Sequence, residues 1–274
     1  KELYNQLSRY VNKEYNKALT MGKKRNVAFA LVILQRRLAS STFALLKSLE
    51  RRKKRLEELM KKADVRENDG IQDMDSVEEL SEEERWKEEE KWESLSVSEN
   101  REELIKEIGI LDTLINRASD IIKGETELKL SELKKALLNL LEPTSTKQDL
   151  IDDNFEESLE EVVDKNPDKK NRKIIIFTES RDTLYYLEKK VKEWGFTVST
   201  IHGGMKLEDR IHQEKVFKNE TQVLIATEAA GEGINLQFCH LMTNHDIPWN
   251  PNRLEQRMGR IHRYGQHEEV YVFN

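Results

Sequence analysis

Apolar positions recur at helical spacing through the first half of the chain and in short unbroken runs through its last third. Val27 to Leu34 is densely apolar, and Leu38, Leu45, Leu46 and Leu49 continue at helical spacing, so residues 1–62 read as helix almost throughout. The basic run Arg51–Arg55 is followed by Leu56, Leu59 and Met60, which predicts a helix buried at its start and solvated at its end. Residues 64–99 are acidic and poor in apolar side chains, and part of this stretch is expected to be mobile. Trp86 and Trp92 stand out there as anchors for a helix. A further helix starts near Asn100, with Glu103 at capping-box spacing. Leu104, Ile108, Leu111, Ile115, Ala118 and Ile122 then fall alternately four and three apart, a narrow apolar seam that Gly124 can end. Leu130, Leu133, Leu137 and Leu141 mark another helix that stops at Glu142-Pro143, and the two predict a hairpin packed on the basic helices. Residues 143–171 are polar and read as a linker with one short helix around 155–163.

After Arg172 the pattern changes. Ile174–Phe177 is a β-branched apolar run, the mark of a strand buried on both faces. A helical pattern through Leu184, Leu187, Val191 and Trp194 follows, closed by Gly195. Then come a strand at 197–201, a helix over 207–217 and strands at 222–226 and 241–244. A helix at 252–263 and a strand at 270–273 complete the series. Strands and helices alternating at this spacing mean βα units on a parallel sheet, whose ligands bind beyond the carboxyl ends of the strands.

Charge divides the chain along the same lines. Residues 1–62 hold 17 basic against 5 acidic side chains, a net +12; residues 63–171 hold 15 against 33, a net −18; residues 172–274 hold 14 of each. A basic block followed by an acidic one implies an internal electrostatic partnership, or a nucleic-acid face beside a repelling one, with solvated helix surfaces as the plainer alternative. Arg51–Arg55 is open to the same two readings, phosphate contact or a solvated basic helix end. No run of eighteen apolar residues exists, so no membrane partner is expected. The single cysteine, Cys239, excludes a disulfide framework within the chain, and a reducing, cytoplasmic setting is the default expectation. The histidines at 240, 245, 262 and 267 lack metal spacing on a common face, so no metal site is assigned.

The most specific chemistry is the string Gln256-Arg-Met-Gly-Arg260-Ile-His-Arg263-Tyr-Gly-Gln266. On a helix Gln256, Arg260 and Arg263 project within about 60° of one another, with Gly259 between them removing bulk that would hold a phosphate away. Leu254, Met258 and Ile261 are expected to bury against the sheet. Guanidinium groups stay charged and match phosphoryl oxygens in a bidentate fork. The second motif, Ala226-Thr227-Glu228-Ala-Ala-Gly231-Glu232-Gly233, follows a strand directly, and its small residues let a ligand approach the backbone. Lys173–Arg181, ending in Thr178, Ser180 and Arg181, and the turn His202-Gly203-Gly204 lie at two further strand ends.

The first string resembles motif VI of the superfamily-2 helicases, and its leading Gln256 and trailing Arg263-Tyr-Gly-Gln266 resemble the Swi/Snf branch. The resemblance implies a RecA-like C-terminal motor lobe over 172–274, an α/β parallel sheet flanked by helices. Before it lie an all-α subdomain over 1–142 (basic helices 1–62, acidic insert and hairpin 63–142) and the linker 143–171. Arg260 and Arg263, with Gln256, fall on the positions that reach the γ-phosphate of ATP. Gly231, Glu232 and Gly233 match the turn beside the nucleotide. Thr178, Ser180, Arg181, His202, Gly203 and Thr227 match positions along the nucleic-acid backbone. No Walker loop and no Asp-Glu box is present, so Mg2+ and the phosphate cradle are expected on an N-terminal motor lobe of the same protein. The function implied is that of half of an ATP-dependent translocase on double-stranded DNA, inactive as a fragment. The alternatives are a strand-separating DNA or RNA helicase, and a regulatory module whose acidic insert docks a protein partner.

Overall fold

A computed structural model describes residues 2–20, 24–61, 80–93, 98, 100–141, 172–228, 234–248, 250–261 and 270–273. The chain divides into two compact units, Lys1–Thr126 and Glu127–Asn274.

The first unit is helical. Its described helices are α1 (Glu2–Thr20), α2 (Lys24–Ser40), α3 (Thr42–Lys61), α4 (Glu82–Glu93) and α5 (Arg101–Lys123). One core joins Leu3, Leu7 and Val11 of α1 to Leu34 of α2, Leu45, Leu49 and Leu56 of α3, and Leu104, Leu111 and Leu114 of α5. Ser41 breaks the run between α2 and α3, its hydroxyl accepting the Ala44 N–H at 3.0 Å as a cap. Asn100 caps α5 in the same way, accepting from Glu103 N at 3.0 Å, as the spacing predicted. The Glu103 carboxylate also pairs with Lys17. Gly124 is the cap residue at the other end of α5, but the left-handed position is the next one, Glu125, with φ 50°.

Two expectations in this unit need correction. The buried stripe of α5 is Leu104, Glu107, Leu111, Leu114 and Ala118, rotated from the predicted seam so that Ile108 and Ile115 are only partly buried. Glu107 can sit inside because its carboxylate is saturated: Tyr10 Oη donates to Oε1 at 2.8 Å, Arg52 Nη2 to Oε1 at 2.8 Å, and Ser98 Oγ to Oε2 at 2.9 Å. Arg52, which the pattern placed among solvated charges, is accordingly fully buried, with Nε also donating to Tyr10 Oη at 2.7 Å. Lys53 pairs with Asp112, and Arg55 with Glu58 on its own helix. The basic and acidic blocks therefore meet inside the molecule at several points. Arg37 and Arg36 reach Glu89 of α4 at 2.8 and 3.5 Å. That helix is pinned further by Trp86 and Trp92, 4% and 1% exposed, as the two tryptophans implied.

The second unit holds α6 (Leu128–Leu140), β1 (Ile174–Phe177), α7 (Arg181–Glu193), β2 (Val198–Ile201), α8 (Leu207–Asn219), β3 (Val223–Ala226), β4 (Leu241–Asn244), α9 (Pro251–Ile261) and β5 (Tyr271–Phe273). Arg172 Nη1 donates to the carbonyl of Leu140 at 3.4 Å, joining α6 to the start of β1. The five strands form one wholly parallel sheet in the order β2-β3-β1-β4-β5. Alternation sets its two faces. Ile175, Phe177, Leu224, Ala226 and Met242 pack with Phe217 of α8 and Ile261 of α9. Ile174, Ile176, Val223, Ile225 and Leu241 point the other way and are equally buried. The α/β fold with a preceding helical region is thus as expected. The short helix predicted around 155–163 lies outside the described residues.

Candidate functional site

Register brings the candidate residues to one edge. Phe177 pairs with Ala226 and with Asn244, and Ile201 pairs with Ala226, so the four central strands end level. The ladder runs one residue further: Thr178 N donates to Ala226 O at 3.0 Å, Thr227 N to Ile201 O at 3.0 Å and His245 N to Phe177 O at 2.8 Å. His202, Thr227, Thr178 and His245 therefore form a row across the carboxyl edge.

The two ends of this row differ. At the β2 end the groups are half-exposed. Tyr185 Oη lies 3.3 Å from His202 Nε2, and its ring meets the imidazole edge-on with centroids 5.8 Å apart. Arg210 donates to the carbonyls of Met205 and Gly203 at 3.0 and 3.1 Å, fixing the His202-Gly203-Gly204 turn. Burial holds the His202 pKa below its ordinary value, and the charges of Arg181 and Arg210 lower it further. Arg181 stands at the first position of α7 behind its cap Ser180.

At the β1 and β4 end the polar groups are buried and bonded to one another. Thr178 Oγ1 donates to Asp246 Oδ2 at 2.6 Å and Glu179 N to Asp246 Oδ1 at 2.8 Å. Ser180 Oγ accepts from Thr183 N at 3.4 Å as the α7 cap, and Ser180 N donates to Thr178 Oγ1 at 3.3 Å. The Thr178 side chain thus serves the strand end, and that of Ser180 the start of α7. Thr227 is fully buried, and its Oγ1 has no hydrogen-bond partner among the described residues.

Asp246 extends the cluster onto α9. Arg257 Nη1 donates to the Asp246 carbonyl at 2.8 Å and to Asn244 Oδ1 at 3.2 Å. Arg253 Nη1 lies 3.1 Å from Glu228 Oε2 and 3.7 Å from Glu179 Oε1. Hence the buried face of α9 is Arg257 with Ile261, while Met258, expected inside, is 42% exposed. A guanidinium displaces a thioether from the interior because carbonyl, amide and carboxylate oxygens surround it and the Phe177 ring stacks below it, 5.5 Å from centroid to Cζ. Sequence reasoning missed Arg257, Arg253, Glu228 and Asp246 as a set. The signal was that Arg257 shares the helical stripe of Leu254 and Ile261.

The flank of α9 beside this anchor reaches the surface. Gln256 is exposed and Arg260 half-exposed. A Cβ built on Gly259 would meet nothing within 4 Å among the described residues. Arg263, Gly231, Glu232 and Gly233 lie outside the described residues. Among the described residues no cluster of three or more His, Cys, Asp or Glu side chains could hold a metal, and no helix is long and apolar enough to cross a membrane.

Residues 154–265 match the family described as the helicase conserved C-terminal domain, beginning within the stretch read from sequence as a linker. Among curated proteins the chain is 52% identical over 102 residues to an uncharacterized ATP-dependent helicase, YqhH, of Bacillus subtilis, covering 37% of this chain and 18% of that protein. It is 33% identical over 122 residues to the RNA polymerase-associated protein RapA of Vibrio atlanticus, covering 43% and 13%. The chain thus spans less than a fifth of the length of these relatives. Among solved structures it is similar to the C-terminal part of the Fun30 ATPase domain, at 25% identity and a TM-score of 0.37, covering 52% of this chain and 48% of that one. The family match spans the strand-end row and α9 just described, so residues 154–265 are similar to a helicase C-terminal lobe.

Proposed function

We propose that this lobe completes an ATP-driven translocase on double-stranded DNA. The observation that supports it best is the face of α9, where Gln256 and Arg260 flank a glycine whose Cβ position is open among the described residues. A helical glycine is about 1 kcal/mol less favourable than alanine, and a ligand seated against α9 would give a use to the space it keeps open. A nucleotide triphosphate held by a first lobe, with its Mg2+, fits that space. Arg260, followed by Arg263, then stabilises the charge that develops on the transferring phosphoryl group, and Gly231-Glu232-Gly233 lies beside the nucleotide. Arg181, His202 and Gly203, half-exposed at the β2 end, face the DNA backbone. Thr178 holds the strand end behind them, and Ser180 the start of α7. Thr227 Oγ1, a buried donor with no partner among the described residues, is matched to a backbone phosphate oxygen.

In the full-length protein, Arg260→Ala is expected to lower DNA-stimulated ATP hydrolysis by about 10³-fold with nucleotide binding retained. Unchanged hydrolysis would remove the arginine finger from the reading. A second reading, strand separation, is favoured by the helicase in the name of the Bacillus subtilis relative. Efficient unwinding without movement along intact duplex, measured by triplex displacement, would select it over translocation.

A further inference from the structure

The guanidinium of Arg257 is held at one end and undecided at the other. Its Nη1 is fixed by two hydrogen bonds, to Asp246 O and Asn244 Oδ1. Its Nη2 lies 3.7 Å from Glu228 Oε1 and 3.8 Å from Asp246 Oδ1, and is hydrogen-bonded to neither among the described residues. The side chain is only 2% exposed. A movement of less than about an ångström toward either carboxylate would bring this Nη2 to hydrogen-bond distance of it.

Each carboxylate belongs to a different strand end. Asp246 is bonded to Thr178 Oγ1 and Glu179 N, at the end of β1. Glu228 directly follows Thr227, at the end of β3, and is also held by Arg253 at 3.1 Å. On the helix side, Arg257 sits one turn before Arg260. A shift of the Thr227–Glu228 segment relative to Thr178–Asp246 therefore changes which carboxylate Arg257 favours, and with it the seating of α9.

We propose that Arg257, shared between Glu228 and Asp246, is the positioning residue through which occupancy of the strand-end row sets the placement of Arg260. The inference rests on the reading of α9 as the phosphate-facing helix, and it adds that Glu228 and Asp246 compete for one cation. Arg257 acts through Arg260 and touches no substrate.

The test uses the full-length protein, with ATP hydrolysis measured at saturating ATP as duplex DNA is titrated. Glu228→Gln keeps the shape of the side chain and removes its charge, leaving Asp246 the stronger claimant. Arg257→Lys keeps the charge and loses the fork that spans both partners. Each is expected to lower the stimulation by saturating DNA about tenfold, within the usual range of coupling between two sites, while the KM values for ATP and for DNA move less than about threefold. The double variant is expected to be no worse than Arg257→Lys alone, because both changes break one interaction. Stimulation within about twofold of the parent in Glu228→Gln would overturn the proposal, as would a loss confined to the KM for DNA. If Arg257→Lys lowers the melting temperature, the milder Glu228→Gln decides. A separate outcome, full hydrolysis in Arg260→Ala, would instead overturn the parent reading. Loss in Arg260→Ala with a silent Glu228→Gln overturns only the coupling.

Discussion

Cys239 illustrates how far a residue's chemistry is set by placement that composition does not reveal. It is the only cysteine of the chain and is 1% exposed, with Sγ donating to the carbonyls of Lys173 at 3.1 Å and Leu241 at 3.4 Å. Burial pushes its thiol up to about 12. The thiolate is the reactive form, so a thiol that loses its proton only far above neutrality is inert. At pH 8 the folded chain is expected to leave Cys239 unmodified by a disulfide reagent over hours, and to react at one thiol per chain in denaturant. Rapid native labelling would contradict the burial of the β4 start. The candidate site was legible at this level in part. Three of the polar residues read at strand ends, Thr178, His202 and Thr227, lie in one row. What each bonds was not legible, because the partner of Thr178 is Asp246, 68 residues away, and no local pattern links them.

Periodicity located the strands and helices well wherever one face was purely apolar, as in β1, β3 and α7. It failed where a charged side chain is buried with its partners: Glu107 on α5 and Arg257 on α9 both entered stripes read as Ile or Met. A pattern of apolar letters cannot register a charge neutralised by residues from other elements. The same helices offer a matched pair of glycines. Gly109 in α5 and Gly259 in α9 are both helical, and a Cβ at either meets nothing within 4 Å. Glycine-to-alanine at each is expected to stabilise the folded chain by roughly 0.5–1 kcal/mol, seen as a rise in thermal midpoint. The two should then part company in the full-length protein. If α9 faces the phosphates as proposed, Gly109→Ala leaves DNA-stimulated hydrolysis intact, whereas Gly259→Ala lowers it, because its methyl group intrudes beside Arg260 and Gln256. Equal activity in the two variants would argue that Gly259 has no ligand to accommodate.

The partition of charge, +12 over residues 1–62 and −18 over residues 63–171, bears on how the whole chain meets DNA. The sequence left open whether the basic block is a nucleic-acid surface or one half of an internal partnership, and the described ion pairs favour the second for the side chains they involve. Arg36 and Arg37 share Glu89, Arg52 is spent on Glu107, Lys53 on Asp112 and Lys17 on Glu103. A cation already paired releases few counterions when a phosphate approaches, since it must first abandon a carboxylate. Residues 172–274 add no net charge, with 14 basic and 14 acidic side chains, and Arg253 and Arg257 there pair with Glu228, Glu179 and Asp246. On the proposed reading, Arg181 and the His202 turn would be the main described phosphate contacts. The 274-residue chain is therefore expected to bind duplex DNA weakly, with log K falling against log salt at a slope no steeper than about −3, the signature of roughly three neutralised phosphates. Fluorescence anisotropy of a labelled duplex between 50 and 200 mM salt, values in the range where the counterion relation applies, measures it directly. A slope near that of a protein with ten phosphate contacts would mean that the ion pairs of the helical unit open on DNA and that its basic helices form the binding surface after all.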